Sequence, residues 1–316
     1  MPTSITKSAL SEETVDILVQ KAFGVHALEI EELKEGFFNA AYRIRLADKA
    51  VVLKIAPPKE IDVMTHEKNI MFSEVDSMKM AAQKTAVPIP GIYFYDNSHI
   101  LLDRDYFFME MLEGKSLSSL GELLSEEEKK NIYFHIGSYT KQLNQIEGEK
   151  FGYYAQPDKQ GECWYEVFRS MLMDVCHDAG RKNIVLPVEE EKILEMLEKD
   201  GHYFATVKTP EFVHWDIWEG NVFIHNGKIS GIIDFERCLW ADPLMEVGFR
   251  TYHCEPSFFE GYGIMKLHEE EKRRARWYDL YLFLIQCLEG DYRGYKDRGL
   301  YDWSKDMLLR CMEDLN

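Results

Sequence analysis

The sequence predicts an α+β protein of two lobes, a small N-terminal lobe of antiparallel strands with one important helix and a larger, mostly helical C-terminal lobe. Short runs of β-favouring apolar residues dominate as far as residue 112, and helical spacing dominates after Glu113-Gly114. The 316 residues, 46% of them hydrophobic, are enough for one large or two modest domains. We therefore expect lobes over residues 1–113 and 114–316, joined by a short hinge near Glu110–Gly114.

The N-terminal lobe begins with a predicted helix and continues with strands. Ser11–Phe23 has helical periodicity and a Ser-x-Glu-Glu start. A second helix is expected from about Ile61 to Lys84, because the Val87-Pro88-Ile89-Pro90 segment forbids its continuation. Turn residues separate the β-favouring runs, which predict strands over Ala27–Leu33, Ala40–Leu46, Ala50–Ile55, Ile92–Tyr95 and Tyr106–Leu112.

The C-terminal lobe is predicted to be helical except for one β-rich island. The island spans Phe212–Phe235 and contains Asn226-Gly227, the strongest short signal for a hairpin turn. Helical spacing on both sides of it predicts helices over Leu117–Ile146, Trp164–Ala179, Val188–Val207, Leu267–Glu289 and Trp303–Met312. Ligands tend to bind in interdomain clefts, so a site is expected between the two lobes.

The segment that points to chemistry is FVHWDIWEGN, residues 212–221, which contains the pattern His-x-Asp-x-x-x-x-Asn. An apolar run, the hairpin turn and a second apolar run follow it and lead directly into IIDFE, residues 232–236. The hairpin returns the chain to where it started. We therefore expect Asp216, Asn221 and Asp234 to lie close together.

These residue types are the ones that phosphoryl transfer requires. The reaction needs a group that orients the attacking hydroxyl and accepts its proton, and it needs oxygen ligands for the Mg²⁺ that bridges the phosphates. A carboxylate on a loop meets the first need, and an amide oxygen with a second carboxylate meets the other. Asp-x-x-x-x-Asn followed by Asp-Phe after a hairpin is the arrangement found in kinases.

HWDIWEGN together with IIDFE resembles the catalytic signature of the aminoglycoside phosphotransferase and choline kinase superfamily, which has the protein-kinase-like fold. Asp242-Pro243 also resembles a segment of that family. The resemblance covers most of the chain and implies that Asp216 is the catalytic base and that Asn221 and Asp234 are the Mg²⁺ ligands. It implies that His214 supports the catalytic loop. Trp215 stands where the family usually has Gly, a departure that bears on the local backbone shape.

The N-terminal lobe supplies the groups that a kinase uses to hold ATP or GTP. Lys54 lies on an apolar predicted strand, where it would hold the α- and β-phosphates, and a helix glutamate would fix its position. Glu74 is the preferred partner, because its distance to the proline-bounded segment matches the spacing of the family. Glu67 lies seven residues earlier and stays the alternative, since both can share one helix face.

Two further nucleotide contacts are expected from backbone segments. Residues 36–42, GFFNAAY, look like the Gly-x-x-Asn-x-x-Tyr pattern of small-molecule members, which would place Gly36 and Asn39 over the phosphates. An ordinary hairpin turn is the other interpretation of these residues. The segment from Phe107 to Gly114 resembles the hinge strand, so the backbone of Glu110, with Leu112 or Met111, is expected to bind adenine.

The composition limits the partners and the compartment. The 37 Lys and Arg against 55 Asp and Glu give a net charge of −18, which disfavours nucleic acid and anionic membranes and is compatible with a cationic substrate. Six cysteines without a Cys-x-x-Cys pair indicate buried thiols in a reducing compartment. The N-terminus lacks a signal peptide, so the expected location is the cytoplasm. No protein partner is implied.

The expected acceptor is a small hydroxylated molecule. Asp242-Pro243 follows Asp234 after only a few residues, and no Ala-Pro-Glu is present. This leaves little room for the peptide platform of a protein kinase. An aminoglycoside-like compound or an amino alcohol is favoured, and the sequence leaves open whether the role is antibiotic resistance or housekeeping. The candidate acceptor wall consists of Trp218, Glu219, Glu236 and Trp240.

Two other functions compete with the kinase. A catalytically silent nucleotide-binding regulatory protein on the same fold would be free to lose the base, the metal ligands or the lysine, yet the chain has candidates for all of them. A metal hydrolase using Asp216, Asp234 and His214 would leave Lys54 and Glu74 without a purpose.

Overall fold

The computed structural model of the protein describes residues 4–34, 36 and 38–316. The N-terminal part is a five-stranded antiparallel sheet in the order β1-β2-β3-β5-β4. Its strands are β1 (Glu29–Leu33), β2 (Ala40–Arg45), β3 (Ala50–Ile55), β4 (Ile92–Asp96) and β5 (Tyr106–Glu110). The predicted strands are therefore confirmed, with ends that differ by up to two residues.

One helix packs on each face of this sheet, and the two-residue period of β3 decides which side chain meets which helix. Helix α1 (Glu12–Phe23) is capped by Ser11, which accepts a hydrogen bond from the Thr14 amide, and it packs against alternate residues such as Leu53. Val52 and Lys54 point to the opposite face, where α2 (Ile70–Lys84) lies. Alternation thus places the one buried lysine of β3 against α2.

Helix α2 begins later than the periodicity predicts. The expected start near Ile61 is wrong, because residues 65–67 form a short 3-10 turn and Asn69 has a left-handed φ of 57°. Glu67 in that turn pairs with Arg293 at the far end of the chain, and its carboxylate also accepts the Met64 amide. This long-range ion pair holds residues 65–67 in a separate turn before the helix starts.

The C-terminal part is mostly helical, and its helices are α3 (Leu117–Leu120), α4 (Glu126–Asn144), α5 (Trp164–Arg181), α6 (Glu190–Phe204), α7 (Pro256–Tyr262), α8 (Glu269–Arg293) and α9 (Gly299–Asp314). The single predicted helix over Leu117–Ile146 is divided in two. Ser125 forms a capping box with Glu128, and this local hydrogen bonding starts α4 anew.

Two small three-stranded sheets lie among these helices. The first has the order β10-β9-β6, with strands β6 (Lys115–Ser116), β9 (Val222–His225) and β10 (Lys228–Ile232). The second has the order β7-β11-β8, with strands β7 (Gly152–Tyr153), β8 (Glu211–Val213) and β11 (Leu239–Ala241). Asn226 and Gly227 both have positive φ, as the predicted hairpin turn between β9 and β10 requires.

Helix α8 is the centre of the hydrophobic core of the C-terminal part. Most of its residues between Arg274 and Leu288 are buried, including Trp277 and Phe283, which are fully buried. The cysteines are free thiols, but Cys163 and Cys254 are exposed, so the expectation that all six are buried is wrong. Within the described ranges, no helix is long and apolar enough to cross a membrane. The mixed α+β architecture with an antiparallel N-terminal sheet and a helical C-terminal part agrees with the predicted fold class.

Candidate functional site

The loop after β8 contains the His-x-Asp pattern and is tied to the end of β10 by His214. The Nε2 of His214 lies 3.2 Å from the Ile233 carbonyl oxygen, and its Nδ1 lies 3.2 Å from the Asp216 amide nitrogen. The imidazole therefore donates through Nε2 and accepts through Nδ1, which is the neutral tautomer. Burial lowers the pKa of His214 to about 4 and favours the same neutral form. His214 therefore links this loop to the end of β10.

Asn221 connects the loop to the hairpin. Its Nδ2 donates to the Asp216 carbonyl oxygen at 2.9 Å and to the Asp216 carboxylate at 3.1 Å, and its backbone oxygen accepts the Ile233 amide. Because both acceptors are oxygens, the amide nitrogen is the atom that faces Asp216, and Oδ1 takes no part in these two hydrogen bonds. The structure therefore brings Asp216, Asn221 and the end of β10 together, as the hairpin argument predicts.

Asp234 follows β10 in a left-handed conformation, with φ of 65°, and meets the lysine of β3. The Lys54 ammonium donates to the Asp234 carboxylate and to Glu74, whose Oε1 lies 2.5 Å away. Lys54 is 7% exposed and Glu74 is fully buried. Since Glu67 is occupied by Arg293, the partner of Lys54 in the structure is Glu74.

The charges in this cluster shift one another's pKa values. Burial alone would lower the pKa of Lys54, but the surrounding carboxylates, Asp234 first, outweigh it and raise that pKa. Burial opposes ionisation of Asp234, yet Lys54 holds its pKa below the ordinary value. Burial and the negative charge of Asp234 raise the pKa of Glu236 to about 8. One lysine therefore faces several acids, and an added cation would stabilise their ionised forms.

Asp216 is poised for proton transfer near neutral pH. Burial raises the pKa of its carboxyl to about 6, and the neighbouring cations Arg237 and Arg250 hold the pKa below what burial alone would give. The efficiency of a general base is greatest when its pKa lies near the working pH. The environment of Asp216 thus suits it to accept a proton from an attacking hydroxyl.

The donor set fits a magnesium ion. Ligand atoms of Glu74, Asp234 and Glu236 lie within 4.8 Å of one another, and Glu74 Oε2 is buried without a hydrogen-bond partner in the described part of the structure. Carboxylate oxygens are the hard ligands that Mg²⁺ prefers. These residues are therefore compatible with the Mg²⁺ that the sequence predicts.

The predicted nucleotide loop lies directly against this cluster. Asn39 Nδ2 donates to Glu236 at 2.6 Å, and Asn39 is 7% exposed, whereas Gly36 is exposed. Phe37, within the predicted loop, lies outside the described residues. Glu236, which the sequence predicts in the acceptor wall, thus contacts Asn39 of the predicted nucleotide loop.

The predicted hinge residues lie at the end of β5 and directly after it. The Glu110 amide donates to the Gly91 carbonyl oxygen at 2.8 Å, so any adenine contact of Glu110 is left to its own carbonyl. Met111 and Leu112 come directly after the strand, and the Leu112 side chain packs over Gly231, where a Cβ would lie 2.4 Å from it. The backbone at Met111 and Leu112 is therefore positioned between the two parts of the chain.

The other three residues of the predicted acceptor wall differ in exposure and in their contacts. Trp218 is 41% exposed and its ring covers Gly220, where no side chain would fit. Glu219 accepts a hydrogen bond from the Tyr133 hydroxyl. Trp240 stacks on Tyr154 with ring centroids 5.5 Å apart, so its ring contributes to the packing of the sheet formed by β7, β11 and β8.

Sequence reasoning missed Glu246, a buried acid that is bonded to the backbone of the loop before Asp216. One carboxylate oxygen accepts the His214 amide at 2.8 Å, and the other accepts the Trp215 amide at 3.0 Å. Asn144 donates to the same carboxylate at 3.2 Å. The available signal was an acid within the apolar run that follows Asp242-Pro243, where an unpartnered charge would be unfavourable.

It also missed Arg237, whose charge acts on the carboxyl of Asp216. Arg237 lies three residues after Asp234, and its Nη2 donates to Glu289 of α8 at 2.8 Å. Their side chains are 17% and 15% exposed. No sequence pattern connects Arg237 to Glu289, because more than fifty residues separate them and only the fold brings them together.

A five-stranded sheet joined to a helical lobe, with a lysine–glutamate pair facing an Asp-x-x-x-x-Asn loop and an Asp-Phe acid, defines the class of kinase-like phosphotransferases. The sequence pattern of the phosphotransferase enzyme family, named APH, matches residues 29–278. The chain belongs to this family.

Solved structures share the fold across nearly the whole chain. A Haemophilus somnus protein provisionally named fructosamine-3-kinase aligns with a TM-score of 0.69 at 18% identity, covering 95% of this chain and 97% of that one. The aminoglycoside phosphotransferase APH(4)-Ia, in a ternary complex with AMP-PNP and hygromycin B, aligns with a TM-score of 0.65 at 16% identity, covering 95% and 98%. At these identities the similarity shows the fold alone.

A curated relative matches a shorter stretch. A subtelomeric hrmA-associated cluster protein of Aspergillus fumigatus is 27% identical over 117 residues, which is 36% of this chain and 22% of that protein. The matched region thus spans about a fifth of the curated relative.

Proposed function

We propose that the protein transfers the γ-phosphoryl group of ATP, or GTP, to a hydroxyl of a small molecule, an alcohol-accepting phosphotransferase. The observation that carries this is the Lys54 ammonium, bonded at once to Glu74 and to Asp234, next to the loop that contains Asp216. In a kinase site these are the groups that hold the phosphates, the metal and the acceptor. In this proposal the two lobes divide at residue 113.

Each residue then has a defined part. Lys54, fixed by Glu74, would bind the α- and β-phosphates, and Mg²⁺ held by Asn221 and Asp234 would offset their charge. Asp216 would orient the acceptor hydroxyl and take its proton as the γ-phosphoryl group is transferred. Gly36 and Asn39 would cover the phosphates, and the backbone of Glu110, with Met111 or Leu112, would bind the adenine.

The nucleotide part is supported by relatives with the same fold. One structure of the aminoglycoside phosphotransferase APH(2'')-IIa contains streptomycin and ATP, and one of APH(4)-Ia contains AMP-PNP and hygromycin B. An aminoglycoside-like compound or an amino alcohol is the acceptor class we propose. Trp218 and Glu219 support it, because an exposed indole and a carboxylate near the base suit a substrate ammonium group.

The test is release of ADP from Mg-ATP across a panel of acceptors: aminoglycosides, macrolides, choline, ethanolamine, homoserine and methylthioribose. The Asp216→Asn variant is the matched control, because it keeps the shape of the side chain and removes the base. We expect one class of acceptor to stimulate ADP release, and we expect the variant to abolish that stimulation while Mg-ATP still binds. Asp234→Asn should instead weaken Mg-ATP binding itself.

Other outcomes would lead elsewhere. Stimulated ADP release that persists in Asp216→Asn would show that another group is the base. Mg-ATP binding without any stimulated turnover would favour the silent regulatory protein on the same fold. A chain that binds no nucleotide would refute the proposed function altogether.

A further inference from the structure

Residues Ser4–Lys7, here called the N-terminal strap, lie between the predicted nucleotide loop and the end of α8. The Lys7 ammonium donates to the carbonyl oxygen of Gly36 at 2.8 Å and reaches those of Lys34 and Leu33 at 3.3 and 3.4 Å. Its side chain is only partly exposed, and burial lowers the pKa of Lys7. A lysine that lies within hydrogen-bonding distance of the carbonyl oxygens of residues 33, 34 and 36 restrains the backbone at these three positions.

The strap holds the loop at a second point. The Thr6 hydroxyl donates to the Phe38 carbonyl oxygen at 2.8 Å and is also bonded to the Ser4 hydroxyl at 2.7 Å. Ser4 and Thr6 are 2% and 1% exposed, so these polar side chains are buried where their hydrogen bonds are needed. The loop between β1 and β2 is thus bonded to the strap through the carbonyl groups on both sides of Phe37.

The other side of the strap rests on α8. The Ile5 amide donates to the Arg293 carbonyl oxygen at 3.0 Å, and the Ile5 side chain packs over Gly294, where a Cβ would lie 2.9 Å from it. Arg293 is itself buried, pairs with Glu67, and holds its guanidinium 4.5 Å from the centre of the Phe38 ring. The strap and Arg293 therefore join the loop to the same end of α8 by two separate routes.

Asn39 belongs to this loop and donates a hydrogen bond to Glu236, two residues beyond Asp234. The position of the loop backbone therefore determines how the loop lies relative to the site. We propose that the N-terminal strap is a positioning element for nucleotide binding, with Lys7 and Thr6 holding the loop over the phosphates. This rests on the proposed function. Lys7 acts through the loop backbone and does not contact the nucleotide, so its loss should weaken Mg-ATP binding and leave the phosphoryl-transfer step intact.

The test uses the full chain with Mg-ATP as the probe. Lys7→Met removes the three donors and keeps the length of the side chain, Thr6→Val removes the hydroxyl and keeps the shape, and Lys7→Arg retains donors. Lys34→Met is the matched control, because it removes an exposed lysine of the same loop whose ammonium has no hydrogen-bond partner among the described residues. Calorimetric titration measures the Kd of Mg-ATP, and amide hydrogen exchange of residues 33–39 measures the loop directly.

Loss of hydrogen bonds of this kind raises a dissociation constant by about threefold to tenfold. We expect Lys7→Met to raise the Kd and KM of Mg-ATP by that factor, to keep kcat at saturating ATP within about twofold, and to speed exchange of residues 33–39. Lys7→Arg should restore the Kd, and Lys34→Met should leave both measurements unchanged.

Two results would refute the proposed positioning role of the N-terminal strap. The first is an unchanged Kd and unchanged exchange in both Lys7→Met and Thr6→Val. The second is an equal rise in Kd in Lys34→Met, which would show that positive charge near the phosphates, and not the loop, is responsible. If the wild-type chain binds no Mg-ATP, the proposed function is refuted, and the exchange of residues 33–39 alone decides whether the strap holds the loop.

Discussion

Trp215 has a left-handed backbone, with φ of 68°, directly before the proposed catalytic base. The side chain is 3% exposed and stacks on Tyr281, with ring centroids 5.5 Å apart. The position therefore combines a conformation that favours glycine with a packing that favours an aromatic ring. Replacing Trp215 by Ala and by Gly separates the two effects, because both substitutions remove the ring and only Gly removes the backbone strain.

The magnitudes follow from these two observations. Truncating a buried aromatic side chain to Ala lowers the free energy of unfolding by about 3–5 kcal/mol. A left-handed conformation costs an L-residue about 1–2 kcal/mol. Gly avoids that strain but loses about 0.4–1 kcal/mol through its greater freedom in the unfolded chain. We therefore expect Trp215→Gly to be more stable than Trp215→Ala by up to about 1.5 kcal/mol, and both to be less stable than the wild type.

Urea unfolding followed by far-UV circular dichroism measures the difference at equal denaturant dependence. Ala82, exposed in helix α2, is the control, because Ala82→Gly should lower stability by about 1 kcal/mol, the usual order of the two residues. If Trp215→Ala exceeds Trp215→Gly in stability by as much as the wild type exceeds Ala82→Gly, the backbone is not strained at this position. In that case the departure from the family's Gly has no conformational cost.

Two further predictions concern residues behind the base. Glu246→Gln should lower the free energy of unfolding by about 1–3 kcal/mol, measured in the same assay, because a buried amide cannot accept both loop amides as a carboxylate does. Arg237→Gln should move the acidic limb of the kcat/KM profile from near pH 6 to higher pH. Removing the cation favours the protonated form of Asp216, whose pKa rises, so the active carboxylate is lost at a higher pH as the solution is acidified.

Each of these two predictions has an outcome that would contradict it. For Glu246→Gln, retention of wild-type stability would show that the loop does not depend on the carboxylate. For Arg237→Gln, the double variant Arg237→Gln/Glu289→Gln removes the acid left unpaired and should move the limb part of the way back. An acidic limb that stays in place in Arg237→Gln would show that a group other than Asp216 controls the profile.

Local patterns were sufficient for the fold class and for much of the candidate site. The Asn226-Gly227 turn and the two short apolar runs specify the hairpin that brings Asp234 to Asp216 and Asn221, because a two-residue turn pairs His225 with Lys228 and returns the chain antiparallel. An irregularity between Ile229 and Gly231 then shifts the register, and local patterns did not predict it. Alternation along β3 places Lys54 on the face opposite to Leu53. These features depend on neighbours a few residues away, which the sequence displays directly.

Only the tertiary structure decided between Glu74 and Glu67 as the partner of Lys54. Both lie at helical spacing on one predicted face, so periodicity cannot separate them. The pairing of Glu67 with Arg293, far along the chain, ends that ambiguity and also moves the start of α2 to Ile70. An ion pair between distant residues has no local signal, and here it determines a local structure.

The same reason explains what the sequence left hidden in the site. Glu246 behind the catalytic loop, Arg237 paired with Glu289 of α8, and Lys7 over the loop before β2 all act across long separations in the chain. Composition and spacing identify the groups that a reaction requires, because chemistry restricts residue types. The partners that hold those groups come from distant parts of the sequence, and they meet only once the chain has folded.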